Sequence, residues 1–221
     1  MAQVKIYSAE ACPYAQRTRL ILHEKGVDFE LTEIDLAEKP DWLPEVSPYG
    51  KVPAIVHGDV RVYESSIINE YLDEAFPEPA MMPADSAGRA LARIWIDYSN
   101  TRFIDPVYKL LREQDPELRA GLAEELSAIL RFMETEGLGK MGEGPYWMGN
   151  TPSLIDFAFY PFFERFCILD HYRNFRIPED CARLIRWVET MRFRSSVKAI
   201  ENSDSFYIKR YAKYAEAKPA A

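Results

Sequence analysis

Three prolines in the nine residues 77–85, Pro77, Pro79 and Pro83 of PEPAMMPAD, bar a helix or an inner strand from passing through that segment, because proline lacks an amide proton and has a fixed φ. The chain therefore builds its structure in two parts, and the hydrophobic pattern changes between them. Ahead of the prolines, short β-type runs alternate with helical ones, the pattern of an α/β layer. Residues 4–7 read as a buried strand and residues 13–25 as a helix carrying Leu20, Ile21 and Leu22, stopped by Gly26. A second strand follows at 29–34, with Phe29, Leu31 and Glu33 on one side and Glu30 and Thr32 on the other, then a short helix near 41–46 interrupted by Pro44. Residues 54–57 and 60–63 are two strands joined by the Gly58-Asp59 turn. Ser65 is the expected cap of a helix running through Ile67, Ile68, Tyr71 and Leu72 to about residue 75. Beyond the prolines the periodicity is helical throughout, with helices expected at 86–112, 116–136, 153–169, 178–191 and 205–217 and a frayed Ala/Lys/Pro tail. The division is an α/β domain at 1–78, a linker at 79–85 and an all-α domain at 86–221.

The 221 residues suffice for a sizeable core. No apolar run approaches the roughly 20 residues needed to span a bilayer, and MAQVKIYSAEACPY, with one lysine and an early glutamate, does not read as a secretory signal. Neither a membrane partner nor export is expected. With 35 acidic against 27 basic side chains the net charge is −8, which repels a phosphate backbone and disfavours nucleic acid. Cys12, Cys167 and Cys181 are odd in number and widely spaced, matching neither a disulfide framework nor a zinc site, and suit a reducing cytoplasm. His23, His57 and His171 show no metal spacing, so no metal is expected.

Cys12 stands between a strand and a helix with Pro13 next, which places the thiol near the N-cap and proline at the first helical position. Unsatisfied amides and the positive end of the helix dipole favour a thiolate there, and a thiolate is a nucleophile. In CxxC enzymes the second cysteine resolves the mixed disulfide; here that position holds Ala15, so an external thiol must do so. Cys167 and Cys181, on apolar helical faces, read as small buried hydrophobes. His23 lies beside Glu24 and far along the helix from Cys12, a poor place for a general base. The Val52-Pro53 bond fits a tight turn in either isomer; in cis, the Val52 backbone would be left as an edge able to pair with an extended peptide, while an ordinary trans proline is the plainer reading. Glu64-Ser65 offers a carboxylate for an ammonium, and a hydroxyl with helix N-terminal amides for a carboxylate. Trp95, Tyr98 and Phe103 share the first helix of the second domain, as an apolar acceptor wall together with Tyr14 or as core.

Three elements in order, CPYA, GKVPAI and YESSIINEYLDE, resemble the glutathione transferase superfamily in its cysteine-type branch, close to the omega and lambda classes, and the likeness spans nearly the whole chain. GNTPSLIDFAF is similar to the superfamily's buried capping box, with Ser153 as N-cap and Asp156 reaching back to it. The resemblance implies a thioredoxin-like first domain that binds glutathione as co-substrate, an all-helical second domain that helps to build the acceptor site, and a homodimer. It assigns Cys12 as the active thiol, Val52 with a cis Pro53 as the partner of the cysteinyl backbone, and Glu64 with Ser65 as the γ-glutamyl pair. Lys39, in EKPDW, matches the lysine that meets the glycine carboxylate; Lys51 stands where an apolar residue is usual and competes for that contact. Tyr7, near the end of the first strand, matches the catalytic donor of other transferase classes, although omega-like sequences carry a tyrosine there without using it.

The implied reaction is glutathione-dependent thiol transfer or reduction of small disulfides, dehydroascorbate or glutathionyl adducts through a Cys12–glutathione mixed disulfide. Two other readings stand beside it: a non-catalytic adaptor resembling stringent starvation protein A, on the strength of ESSIINEYLDE and the MMP segment, and a conventional conjugating transferase acting on small electrophiles. Insertion into a membrane is disfavoured by Gln16, Arg17, Arg19, His23, Glu24 and Lys25 on the first helix.

Overall fold

The computed structural model describes residues 3–216, and the Ala/Lys/Pro tail together with the last residue of the expected 205–217 helix lies outside them. Two compact units divide between Asp85 and Ser86. In the first, β1 (Val4–Ser8), α1 (Pro13–Glu24), β2 (Phe29–Glu33), α2 (Leu43–Val46), β3 (Ala54–His57), β4 (Val60–Tyr63) and α3 (Ser65–Ala75) follow one another. The sheet order is β2-β1-β3-β4, with β1 parallel to β2 and antiparallel to β3, and β3 paired with β4 across the Gly58-Asp59 turn, where Gly58 has φ 59°. This mixed sheet beside helices is the thioredoxin-like arrangement.

Pleating sends Val4, Ile6 and Ser8 of β1, all fully buried, to one face and Lys5 and Tyr7 to the other, where Tyr7 meets Trp42 with ring centroids 5.5 Å apart. β2 is an edge strand, and Leu31 on it is exposed. Pro44 does not interrupt α2; it falls in the first turn, where no amide donor is needed. The polar run on α1 is buried, Gln16, Arg17, Thr18 and Arg19 alike, where α1 packs along α3 and β1. The seam between the two helices is polar, with Thr18 Oγ1 donating to Asn69 Oδ1 at 3.0 Å and Lys25 paired with Asp73.

The second unit is helical: α4 (Ser86–Tyr98), α5 (Ile104–Arg112), α6 (Pro116–Phe132), α7 (Gly139–Met141), α8 (Leu154–Phe163), α9 (Phe166–Arg173), α10 (Ala182–Arg192), α11 (Ser195–Ile200) and α12 (Asp204–Ala215). The expected 86–112 and 116–136 helices are each broken by a π-helical stretch, Ser99–Phe103 and Met133–Leu138. The expected 153–169 helix is split at Glu164-Arg165, and α11 was not anticipated at all. Every residue of α8 is buried. Its capping box is present, and Asp156 does more than cap: Oδ2 accepts from Ser153 N at 2.7 Å and Ser153 Oγ at 2.8 Å, while Oδ1 accepts from Trp147 N at 2.9 Å and Trp187 Nε1 at 2.7 Å. Burial raises the Asp156 carboxyl above the usual range and those four donors pull it back down. One carboxylate thus fixes two tryptophans, with Trp147 lying flat on Phe159 at 4.6 Å and Trp187 edge-on to Trp147.

Of the two readings of Trp95 and Phe103, acceptor wall or core, their burial supports core. Phe103 is fully buried and stacks on Phe163 at 5.1 Å; Trp95 is buried against Trp147 at 5.3 Å. Tyr98 is half-buried and stacks on Phe132, itself 45% exposed, so of the three only Tyr98 borders solvent.

Candidate active site

The turn after β1 places Cys12 at the N-cap of α1, with φ −81° and ψ 115° and Pro13 in the first turn. Its amide donates to the Ala9 carbonyl at 2.9 Å, which closes the turn, and its carbonyl accepts from Gln16 N at 3.0 Å, the first helical bond. The first turn of α1 holds no acidic residue, so no carboxylate opposes a negative sulfur there. Cys12 is half-buried against a small apolar cluster of Ala9, Ala15, Ile34, Leu43 and Val52, which Tyr7 also joins. Cysteine, the Val52 turn and Tyr7 are therefore neighbours, as their order along the chain could not reveal.

The Val52-Pro53 peptide bond is cis, and the Val52 carbonyl lies 3.9 Å from Cys12 Sγ, within reach of a weak thiol donor. Val52 and Pro53 are both buried. This turn thus meets the start of α1, with the Val52 carbonyl turned to the thiol.

Ser65 is not the N-cap of α3. Glu64 occupies that position, with φ 69° and ψ 112°, an unusual conformation for a residue with a side chain, and Ser65 is the first helical residue. The cap interaction expected of Ser65 is replaced by another: its Oγ accepts from Arg17 Nη1 at 3.2 Å. Arg17 is only 1% exposed, and its guanidinium lies 5.2 Å from the Tyr14 ring centroid. A hydroxyl that already accepts from a guanidinium has its own proton available for a further acceptor, so Ser65 is set up as a donor to a carboxylate. Arg17, bonded to Ser65, did not enter the sequence reading as a candidate site residue; the sign of it was an arginine on the helix that starts at Cys12. Glu64 is exposed.

Lys39 reaches across to donate to the Gly50 carbonyl at 2.9 Å, so its ammonium sits against the peptide that leads into Lys51. Gly50, at φ 58°, turns the chain there, its amide bonding the Ser47 carbonyl at 2.7 Å and the Lys51 amide bonding Ser47 Oγ at 3.3 Å. Lys51 lies on this turn, immediately before Val52, and the exposed Lys39 side chain reaches it from an earlier segment. Tyr14, 37% exposed, is on the first turn of α1.

The other two thiols differ from Cys12. Cys181 is fully buried, and burial together with Asp180 and Glu134 pushes it up to about 11. Burial and the Asp204 carboxylate push Cys167 up to about 12. Among the described residues no cluster of three or more His, Cys, Asp or Glu side chains could hold a metal ion, and no helix is long and apolar enough to cross a membrane.

Residues 6–80 match the family profile described as "Glutathione S-transferase, N-terminal domain", and residues 103–190 match "Glutathione S-transferase, C-terminal domain". Glutathione S-transferase U28 of Arabidopsis thaliana is 31% identical over 210 residues, covering 93% of this chain and 92% of its own. A Tau class glutathione S-transferase from mango, Mangifera indica, superposes with a TM-score of 0.89 at 26% identity over 96% of this chain and 98% of its own. Glutathione transferase Omega 3C from Trametes versicolor superposes with a TM-score of 0.87 at 28% identity over 98% and 91%.

Proposed function

The chain belongs to the glutathione S-transferase superfamily and uses glutathione as substrate, and we propose that it is a thiol transferase or reductase working through a Cys12–glutathione disulfide. The observation that carries this reading is a cysteine at the N-cap of α1 with no second cysteine in the turn that follows. Cys12 thiolate attacks the glutathionyl sulfur of a mixed disulfide; the S–S bond breaks, its electron pair leaves with the substrate thiolate, and Cys12–S–SG forms. The thiolate of a free glutathione then attacks that disulfide, giving oxidised glutathione and returning Cys12 thiolate, so each turnover consumes one glutathione and exchanges the substrate's mixed disulfide for oxidised glutathione. Ping-pong kinetics follow.

In this reading the γ-glutamyl ammonium meets Glu64, its carboxylate meets the Ser65 hydroxyl and the amides that open α3, the cysteinyl backbone pairs with Val52, and the glycine carboxylate meets Lys39 or Lys51. All of these residues lie in the first unit, with Val52 beside the thiol. A conventional conjugating reaction is the second reading, favoured by the mango Tau class enzyme, which is as similar as the omega one; Tyr7 in the Cys12 cluster is then the candidate hydroxyl. A homodimer is also proposed, supported by exposed apolar side chains on each unit, Val60 and Ile67 on the first and Leu91 and Ile94 on the second; sedimentation at micromolar concentration giving a monomer removes it.

The test is mass spectrometry after oxidised glutathione, with peptide mapping, alongside turnover of a glutathionylated peptide and of an aryl halide. One glutathione on Cys12, and loss of peptide turnover in Cys12→Ser, are expected. Parent-like reduction by Cys12→Ser, or aryl halide turnover that Cys12→Ser leaves intact while no adduct forms, assigns the conjugating reaction instead. Ser65→Ala locates the ligand: it removes one charge-assisted hydrogen bond, so glutathione affinity falls about tenfold or more. Unchanged affinity puts glutathione elsewhere.

A further inference from the structure

The second unit carries an open pocket of about 360 Å³ in which no residue of the proposed glutathione site takes part. That volume falls in the range of small-molecule sites, roughly 300–1,000 Å³. Its inner walls are aromatic: Phe163 at the end of α8, Phe166 on α9 and Phe175 just after α9, with Phe163 and Phe166 stacked at 4.7 Å and Phe166 tilted 57° to Phe175. Val188 on α10 contributes a further apolar surface. The pocket is thus lined by aromatic side chains, the residue type whose π-systems attract cations.

The charged groups around it do not balance. Glu164, at the inner end, already accepts from Tyr207 OH at 2.9 Å and lies 3.6 Å from Arg165. Asp170 is paired with Arg176 at 2.8 Å. There remain two carboxylates on the lining, Glu189 of α10 and Asp204 at the start of α12, against one guanidinium, Arg192. The whole chain carries −8, which adds to the same sign. The Cys167 thiol is also on the wall, its Sγ 3.8 Å from the Glu164 carbonyl.

We propose that this cavity is a binding site for a small amphipathic organic cation, an ammonium on an aromatic or alicyclic body, with the ring among Phe163, Phe166 and Phe175 and the ammonium at Glu189 and Asp204. It is separate from the glutathione site and does not depend on how that site works.

Isothermal titration with 1-naphthylmethylammonium tests it, with 1-naphthylacetate as the comparator of opposite charge. The ammonium binds and the acetate binds at least about fivefold more weakly, the worth of one partly exposed ion pair. Val188→Trp, which fills the cavity, abolishes binding and leaves glutathione turnover unchanged. Should that variant not fold, Glu189→Arg on the exposed side of α10 serves: it removes the preference for the ammonium. S-hexylglutathione, as a ligand of the other site, does not compete. No binding of the ammonium at millimolar concentration, equal binding of the acetate, competition by S-hexylglutathione, or full affinity in a folded Val188→Trp each overturns the proposal.

Discussion

Cys12 and Cys181 occupy the same backbone position, the residue before the first turn of a helix, and differ in everything that surrounds it. At α10 the Glu134 carboxylate already takes the opening amides, accepting from Arg183 N at 3.0 Å and Leu184 N at 2.7 Å, so the donors that favour a thiolate are occupied and a negative charge stands beside the sulfur. Burial adds to this, and the thiol is pushed up to about 11. At α1 no acidic residue lies in the first turn. Iodoacetamide from pH 7 to pH 9 therefore alkylates Cys12 and spares Cys167 and Cys181, whose thiols stay protonated throughout that range. Peptide mass mapping reads the outcome, and labelling of Cys181 at the rate of Cys12 contradicts it. The placement of Cys12 was legible because Pro13 marks a first helical position on its own. The neutralising of Cys181 was not, since Glu134 comes from 47 positions earlier and only the fold brings it there. Arg17 under Ser65 escaped for the same reason: a residue's neighbours from another element leave no trace in its local pattern.

Helical periodicity located where the second unit's helices lie but not where they break. The stretch 86–112 reads as one amphipathic helix, yet the π-helical turn Ser99–Phe103 intervenes, anchored by Ser99 Oγ donating to the Ala158 carbonyl at 3.1 Å. The wide turn ends just before Pro106, so its missing amide proton falls in the first turn of α5, where it is not required. Pro106 was the available signal. The second π-helical stretch carries a glycine packed against two rings. A Cβ on Gly137 would stand 2.7 Å from Trp147 Cζ2 and 3.1 Å from Trp95 Cη2, so the chain passes there only without a side chain. Gly137→Ala gains helix propensity of up to about 1 kcal/mol, but overpacking costs typically 1–3 kcal/mol. Neither ring has room to yield, for Trp147 is fully buried, stacked on Phe159, and has its amide held by Asp156. We expect a net loss of about 1–2 kcal/mol in urea unfolding followed by tryptophan fluorescence; a variant as stable as the parent shows that the rings can move.

For the whole chain, the three prolines of 77–85 marked where one unit gives way to the next, but not that this stretch is fastened down. It is docked on the first unit by one buried carboxylate: Asp73 Oδ1 accepts from Met81 N at 2.9 Å and Oδ2 from Met82 N at 3.0 Å, while Lys25, its ion-pair partner, donates to the Pro79 carbonyl at 2.7 Å. Met81 is 3% exposed. Lys25 read from sequence as one more polar residue near the end of α1; its side chain is in fact fully buried, and it joins the last turn of α1 to α3 and to the connection between units. The two partners therefore have separable roles. Lys25→Met strands the Asp73 charge and costs the first unit about 3 kcal/mol, yet leaves both linker amides bonded. Asp73→Leu also strands a charge, on Lys25, and in addition orphans the Met81 and Met82 amides, so the linker loses its anchor as well as its stability. Both variants should unfold at lower urea concentration by circular dichroism. Under native conditions a protease of broad specificity should cut within 77–85 faster in Asp73→Leu than in Lys25→Met, after correction for the stability of each. Equal cleavage at matched stability means that the prolines alone hold the connection and that Asp73 is no anchor.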